Sequence, residues 1–397
     1  MTRPSEGSLF EHRFGAGRPF TVGLEDEAMV LDARTLDLAQ GFEALCPADR
    51  LADGEPLIVA EIFQSMLELH TPVCDTVEVA ARELHAGRAR AAELGDARGL
   101  LLGSAGTHPF SRLDDNQPSR AERYALLVHD LQDVARRSMI FALHVHVAVD
   151  DADKAVALTQ ALMAHVPELV ALSASSPFRA GRPSGLASTR TTFQAAYPRT
   201  GPTPRLRNYA DFVDVVAALE DGGLPDYTHI WWDIRPHPWL GTVEWRCMDA
   251  VSRDDDVAAI AAYAQALVRH YSEAYDAGHQ LLPPHDALVR ESRWRTIRHG
   301  LDAVVFDLPG DGGPIAVAEL IRRTRTVIEP HARELGSEDA LGGIERILRE
   351  GNGATRQLDL FRRTGDVAAV VRGIVDETRD EYHTRPRPLR ATPAAQP

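Results

Sequence analysis

Lysine is almost absent from this chain of 397 residues. Lys154 is the only lysine, so the other 42 of its 43 basic residues are arginines. A phosphate-binding loop of the form GxxxxGKS or GxxxxGKT needs a lysine beside a glycine-rich turn, and the sequence has none there. The GxGxxG pattern is absent as well. A P-loop nucleotide site is therefore excluded.

Cysteine and long apolar runs are also scarce. The three cysteines, Cys46, Cys74 and Cys247, are odd in number and widely scattered, which is typical of a reduced protein. The first residues, MTRPSEGSLFEHRFGAG, lack the apolar core of a secretory signal. No apolar run approaches the roughly 18 residues of a membrane span. These features predict a cytoplasmic protein that does not act in a membrane.

Positive charge is in deficit overall. The chain has 58 acidic and 43 basic residues, a formal net charge of −15. This balance argues against a nucleic-acid binder or a protein of anionic membrane surfaces. A polyanionic ligand must therefore be bound by local positive charge or through metal ions.

Apolar patterns predict an α+β protein with a mostly antiparallel sheet. Alternating or continuous apolar runs predict strands at 20–31, 57–69, 100–105, 140–149, 229–238 and 242–249. Helical spacing predicts helices at 77–94, 120–137, 152–173 (broken near Pro167) and 209–219, and then a helical layer over 254–382. The helix at 77–94 is predicted to begin at Asp75, with Glu78 completing a start that resembles a capping box.

The same patterns predict one domain over 19–382. Its strands lie mostly within 20–250, an extension precedes it at 1–18, and a Pro-rich tail at 383–397 is predicted to be disordered. The segment 176–205 is rich in Gly, Pro and Arg. A long structured loop of this kind is usually functional, so we expect it near a binding site.

Four of the predicted strands carry two polar residues at positions i and i+2, backed by apolar residues. Strand side chains alternate, so the two polar residues share one face. The pairs are Glu25 with Glu27, Glu68 with His70, His144 with His146, and Glu244 with Arg246. If these strands share one sheet, one face is polar and the other packs on helices. Carboxylates concentrated on that face need cations, which predicts a metal-bearing active site.

Each pair alone has a simpler explanation. Glu25 and Glu27 could belong to a solvated edge strand, and the Glu68 pair could lie at a strand end. His144 and His146 could be hydrogen-bonded structural groups or a zinc pair. Glu244 and Arg246 could form a cross-strand ion pair. The occurrence of all four together favours a site.

Several segments resemble the carboxylate-amine ligases of the glutamate-cysteine ligase type 2 group. The matching segments are GLEDEAMVLD, LELHTPVC, HVHVAV, LVALSASSPF with GLASTR, WWDIRPHP, GTVEWRCMDA and ESRWRTIRHGLDA, in the family's order from about residue 20 to about residue 305. The resemblance implies a glutamine-synthetase-like fold, in which a curved antiparallel sheet holds ATP and Mg²⁺ on its concave face and helices pack on its convex face.

Three positions depart from the family pattern. Ala142 and Leu143 stand where the family usually has Cys-Gly, Arg179 where it has an aromatic residue, and Ala28 where it has a larger hydrophobic residue. The acidic residues are retained, so the departures concern the choice of substrate and leave the ATP chemistry intact.

The sequence and the resemblance together predict an ATP-dependent ligase that joins a carboxylate to an amine through an acyl phosphate and releases ADP. Mg²⁺, replaceable by Mn²⁺, is expected on hard oxygen ligands. The small-molecule substrates suggested by the group's name are glutamate and an amino acid such as cysteine, and a homo-oligomer such as a homodimer is expected. The predicted metal ligands are Glu25, Glu27, Glu68, His146 and Glu244; the predicted catalytic residues are Arg246, which also contacts the nucleotide, and Glu244; the predicted substrate contacts are Arg235, His70, His144 and Arg190.

Two other functions stay open at this point. The first is a metal-dependent amide hydrolase that uses His144 and His146 on zinc to activate water. No further His or Cys at ligand spacing completes a zinc site, which argues against it. The second is a binding protein that has kept the fold and lost turnover, and the intact set of acids argues against that.

Overall fold

A computed structural model describes residues 11–45, 57–112 and 116–379. Part of the predicted N-terminal extension, the first ten residues, and the whole predicted disordered tail at 383–397 lie outside these residues. The strands are β1 (Val22–Asp32), β2 (Ile58–Ala60), β3 (Met66–His70), β4 (Leu100–Gly103), β5 (Ala142–Ala148), β6 (Phe178–Arg179), β7 (Arg182–Pro183), β8 (Thr200–Gly201), β9 (Trp231–Trp232), β10 (Ile234–His237), β11 (Thr242–Asp249), β12 (Val304–Phe306) and β13 (Pro314–Ala316).

The helices occur between the strands and dominate the last third of the chain. They are α1 (Phe42–Leu45), α2 (Val77–Asp96), α3 (Glu122–Leu131), α4 (Asp133–Arg136), α5 (Ala152–Leu162), α6 (Val166–Ser173), α7 (Thr189–Gln194), α8 (Tyr209–Asp221), α9 (Asp254–Asp276), α10 (Asp286–His299), α11 (Val317–Leu335), α12 (Glu338–Glu350), α13 (Gly353–Thr364) and α14 (Val367–Arg379).

A seven-stranded antiparallel sheet forms the centre of the molecule, as the sequence predicted. Its order is β10-β11-β5-β1-β3-β2, and β4 pairs with the second half of β1. β1 is 11 residues long, so its first half can pair with β3 and β5 while Met29–Asp32 pairs with β4. The long central strand thus joins the two parts of the sheet.

One face of this sheet is apolar and is covered by α2, α5, α6 and α9. Leu24, Val145 and Trp245 lie on that face and are 0 to 1% exposed. Asp26 shares the face, and its charge is met by Arg88 from α2, whose Nη2 lies 2.9 Å from Asp26 Oδ2. The predicted polar pairs therefore lie on the other face.

Beyond Glu27, the side chains on the polar face of β1 become apolar and form part of a second hydrophobic core. Met29 and Leu31 continue the face of β1 that carries Glu25 and Glu27, because side chains alternate along the strand. Both are fully buried against a set of apolar side chains that includes Phe63, Met66, Phe141 and Phe178, with α3 and α14 packed over them. This cluster, called the second core below, borders the polar face at its Glu27 end.

Several predicted elements differ in detail. The single strand predicted at 57–69 is wrong, because a turn before Met66 divides it into β2 and β3. The helix predicted at 120–137 is interrupted at Gln132, whose φ of 49° no α-helix accommodates. The cap of α2 is Thr76, whose side chain accepts from the N–H of Val79, and Asp75 is not the cap. The hairpin of β12 and β13 was not predicted within the helical layer.

The break predicted near Pro167 is confirmed, because a 3₁₀ turn at Met163–His165 separates α5 from α6. The combined segment Ala152–Ser173 is long and apolar enough to cross a membrane by composition alone. In the fold, 94% of its most apolar window is buried. It packs against β10, β11 and α9, so it is a core helix pair.

Candidate active site

The strand register brings the predicted polar pairs onto one continuous surface. Glu25 on β1 lies opposite His70 on β3 and His144 on β5, and Glu27 lies opposite Glu68. Farther across the sheet, Glu244 on β11 pairs in register with His146 on β5 and with Arg235 on β10. We call this surface, formed by Glu25, Glu27, Glu68, His70, His144, His146, Arg235, Glu244 and Arg246, the catalytic floor.

The catalytic floor contains three overlapping groups of metal-type ligands. In each group, one ligand atom per residue lies within 4.8 Å of the others. The groups are Glu25 with His146 and Glu244, Glu25 with Glu68 and His70, and Glu27 with Glu68 and His144. Glu25 and Glu68 each belong to two groups, so they are placed to bridge neighbouring ions.

The donor set fits hard divalent cations. His146 Nε2 is buried and makes no hydrogen bond within the described residues, yet it lies 3.3 Å from Glu25 Oε1 and 3.8 Å from Glu244 Oε1. His70 Nε2 lies 3.0 Å from Glu68 Oε2, with which it forms an ion pair. The carboxylate oxygens in the three groups are hard ligands, and hard ligands suit Mg²⁺ or Mn²⁺. The residues that would hold these ions are those of the three groups.

Crowded carboxylates dominate the electrostatics at the Glu27 end. Burial, with the negative charges of Glu61 and Glu68, raises the pKa of Glu27 well above its usual value. Burial and the charge of Glu68 raise the pKa of Glu61 to about 7. Glu27 and Glu61 thus have raised pKa values beside a third carboxylate, and a bound cation relieves such an arrangement.

At the Glu25 end, histidine side chains offset the negative charge of the carboxylate. Burial alone would raise the pKa of Glu25, but the charge of His146 and a hydrogen bond with His144 hold this pKa well below its usual value. Burial lowers the pKa of His144 to about 4, while the Glu68 carboxylate overcomes burial and raises the pKa of His70 to about 9. The floor therefore holds neutral and charged histidines side by side.

Two arginines enclose Glu244, which is 1% exposed. Arg235 donates through Nε to Glu244 Oε2 at 2.5 Å and through Nη2 to Oε1 at 3.3 Å. Arg246 donates through Nη1 to the same Oε1. Burial would raise the pKa of Glu244, but both guanidinium groups hold this pKa well below its usual range. Glu244 is therefore a fixed carboxylate at the end of the floor.

Arg235 has few donors left for a substrate. Besides Glu244, its guanidinium donates to the backbone carbonyls of Tyr227, Thr228 and Ile230. This geometry favours a role in holding Glu244 and the 227–230 loop. The sequence had predicted a substrate clamp at this position.

Arg246 and Arg190 retain unfilled donors. The Nε of each is buried without a hydrogen-bond partner among the described residues. Arg190 lies on α7, inside the loop that the sequence predicted to be functional, and its Nη2 donates to the carbonyl of Arg246 at 3.3 Å. Two buried guanidinium groups with free N–H donors thus lie together beside the carboxylates.

Glu61 was missed by sequence reasoning. It follows β2 directly, and Tyr124 from α3 donates to its Oε1 at 3.1 Å. The prediction of one unbroken strand at 57–69 placed residue 61 on the opposite face from Glu68, since their separation is odd. Recognising the turn between β2 and β3 would have revealed it.

The two histidines of the HxH pair serve different ligand groups. His146 belongs with Glu25 and Glu244, whereas His144 belongs with Glu27 and Glu68. Within the part of the chain that the structure describes, no group combines both histidines. The geometry therefore does not favour a zinc hydrolase built on this pair.

The fold that carries the catalytic floor is glutamine-synthetase-like. The structure is similar to that of glutamate–cysteine ligase from Francisella tularensis, solved in complex with AMP, with a TM-score of 0.66 at 14% identity, covering 92% of this chain and 90% of that one. It is also similar to a bifunctional glutathione synthetase from Pasteurella multocida, with a TM-score of 0.60 at 13% identity, covering 91% of this chain and 51% of that one. The predicted α+β, glutamine-synthetase-like fold is thus confirmed.

The chain belongs to glutamate-cysteine ligase family 2, whose sequence profile matches residues 21–373. Two proteins of Rubrobacter xylanophilus with the provisional names glutamate–cysteine ligase 2-1 and 2-3 are 38% and 39% identical to it, covering 91% and 93% of this chain and 95% and 99% of their own lengths. A Thermobifida fusca protein with the provisional name glutamate–cysteine ligase 2 is 35% identical, with 92% of each chain covered. The chain is therefore an ATP-dependent carboxylate–amine ligase by class.

Proposed function

We propose that this protein uses Mg²⁺–ATP to activate a carboxylate substrate as an acyl phosphate, which an amine then attacks to form an amide. The observation that carries the proposal is the catalytic floor itself: carboxylates in three metal-type groups, with two buried guanidinium groups beside them that retain unfilled donors. Phosphoryl transfer requires mainly positioning and charge stabilisation, and this arrangement supplies both.

The residues of the chain would act as follows. Glu25, Glu27, Glu68, His146 and Glu244 bind the divalent ions, which neutralise the phosphates when bound; Glu61 is added here as a further ligand for the Glu27 end. Arg246 donates to the phosphoryl group in transfer. Arg235 positions Glu244. His70 and His144 belong to the floor and Arg190 lies beside it. These three residues contact the substrates or hold the carboxylates in place.

The bond changes balance in two steps. A substrate carboxylate oxygen attacks the γ-phosphorus, and the bond from that phosphorus to the bridging oxygen breaks, so ADP leaves. The amine nitrogen then attacks the acyl carbon, inorganic phosphate leaves, and the nitrogen gives up a proton. We propose glutamate as the carboxylate and cysteine as the amine, as the family name suggests. A cytoplasmic location is proposed with them, because the described cysteines, Cys74 and Cys247, are free and buried.

The test is a screen of amino acids and small carboxylates, starting with glutamate and cysteine, for amine-dependent release of phosphate from ATP. Chromatography of the nucleotide should show ADP formed in proportion to the amide. Stoichiometric AMP would instead indicate an adenylate intermediate and overturn the acyl phosphate. ADP formed without either substrate would identify an ATPase.

A further inference from the structure

A hollow of about 470 Å³ opens beside the second core, outside the catalytic floor. Its volume lies within the range of small-molecule sites. Among the residues that the structure describes, four arginines line it, Arg112, Arg136, Arg137 and Arg179, together with one acid, Asp133. In a chain with a net charge of −15, this is a local concentration of positive charge.

Most of this positive charge lacks a carboxylate partner within the described residues. Arg137 pairs with Asp133 at 2.8 Å. Arg136 donates through Nη2 only to the side-chain oxygen of Gln132 at 3.2 Å. The guanidinium carbon of Arg179 lies 4.5 Å from the ring centroid of Phe193, and Arg112 forms no ion pair there. The guanidinium groups of Arg112, Arg136 and Arg179 are thus available to an anion. Elsewhere in this protein, surface arginines commonly pair with carboxylates.

The hollow lies near the catalytic floor along the chain. Phe63 and Met139 line it, and both belong to the second core, which continues the face of β1 that carries Glu25 and Glu27. Phe63 precedes Glu68 by five residues and Met139 precedes His144 by five. Five residues span at most about 18 Å, so the Cα atoms of Phe63 and Met139 lie within that distance of those of Glu68 and His144. An extended small molecule is long enough to cover that distance.

We propose that this arginine-lined hollow binds a carboxylate or phosphate group at the far end of one of the two substrates. The substrate would then carry an acidic group remote from the atom that reacts on the floor. This inference rests on the proposed ligase function. Arg179 stands where the resembling family has an aromatic residue, so this acidic preference would distinguish the chain within its family.

The hollow can be tested without catalysis by calorimetric titration of the protein in the absence of ATP. The probes are tricarballylate for a carboxylate and inorganic pyrophosphate for a phosphate. We expect at least one probe to bind, and the double substitution Arg136→Ser with Arg179→Ser to weaken it about 10-fold or more, because charge-assisted hydrogen bonds are lost. Both arginines are exposed, so the fold should be retained. Arg298→Ser, which removes an exposed charge from α10, is the matched control and should not weaken binding.

The inference would be overturned if the wild-type, double-variant and control proteins bound the probe with equal affinity. Complete displacement of the probe by Mg²⁺–ATP would also overturn it, since the hollow would then hold nucleotide phosphates. In the substrate screen, the double variant should raise the KM of the acidic substrate and leave the KM of ATP unchanged. The two proposals can also be separated. If the probe binds through the arginines but the protein releases no ADP with any substrate pair, the proposed function is wrong and the anion site is retained.

Discussion

At the scale of single residues, acids of the same predicted role occupy different environments. The Glu68 side chain is 11% exposed and meets His70, whereas the Glu244 side chain is 1% exposed and lies between Arg235 and Arg246. Removing the charge of Glu68 leaves His70 with the charge of Glu25, and the imidazole can also give up its proton, so no buried cation is left without a partner. Removing the charge of Glu244 leaves two buried guanidinium groups, those of Arg235 and Arg246, without this carboxylate partner. The same substitution should therefore affect stability differently at the two positions.

We expect Glu68→Gln to lower turnover by about 100-fold or more, because a metal ligand is weakened, while the free energy of unfolding changes by less than about 1 kcal/mol. Glu244→Gln should lower turnover similarly and also cost about 3 kcal/mol of stability, because a buried ion pair is broken. Rates of ADP release and urea denaturation of both variants measure these effects. Near-normal turnover of Glu68→Gln would refute its assignment as a ligand, and an unchanged stability of Glu244→Gln would show that the arginines have another counter-charge.

At the scale of elements, Arg88 joins α2 to β1 and to the start of α9. Its Nη2 lies 2.9 Å from Asp26 Oδ2, and its Nη1 lies 2.7 Å from Asp254 Oδ1. It also donates to the backbone carbonyls of Val251 and Ser252. This side chain is 1% exposed and connects the helical layer to the strand that carries Glu25 and Glu27.

The substitution Arg88→Met should lower the free energy of unfolding by about 3–5 kcal/mol, because it leaves buried Asp26 without its counter-charge and leaves Asp254, among the described residues, only the contact with His85. Arg90→Ala on the same helix is the control. Arg90 is partly exposed and pairs with Glu93 at 2.7 Å, so its loss should cost less than about 1 kcal/mol. Chemical denaturation of the two variants compares them directly, and equal losses would mean that the buried cluster does not stabilise the fold.

The elements show where prediction from sequence succeeds. Alternation placed Glu25, Glu27, His144 and His146 on one face, because strand geometry depends only on the local backbone. The turn that separates β2 from β3 escaped prediction since the segment EIFQSM contains no glycine or proline to mark it. Asp75 and Thr76 are both favoured cap residues, so the sequence did not decide which of them accepts from the first turn of α2. The spacing at 120–137 likewise gave no sign of the break at Gln132, which is neither glycine nor proline.

At the scale of the whole molecule, the chain has a formal net charge of −15. Five of its acids, the four predicted carboxylate ligands and Glu61, are gathered at one site. Burial, together with the charges of neighbouring acids, raises the pKa of Glu27 and of Glu61, and a bound cation would lower both. Neither the sequence nor the fold selects the substrates, since the same fold carries different reactions.

ATP should therefore bind only together with Mg²⁺ or Mn²⁺, because an acidic surface repels free nucleotide and a divalent ion must bridge the two. Calorimetry should detect binding in excess Mg²⁺ and lose it in excess EDTA. Titration of Mg²⁺ alone is the control, and it should show that the ions bind the floor without nucleotide. Equally tight binding of ATP in EDTA would contradict this role of the carboxylates.

The one lysine of the chain bears on the proposed formation of an activated acyl group. Lys154 Nζ is held by Asp150 at 2.8 Å and by Asp276 at 2.7 Å, and the residue is 3% exposed. Apart from its α-amino group, the chain therefore offers reactive acyl donors no accessible primary amine of its own. It should be protected from self-acylation during turnover. By the same reasoning, amine-reactive labels should attach to the folded protein almost entirely at its first residue.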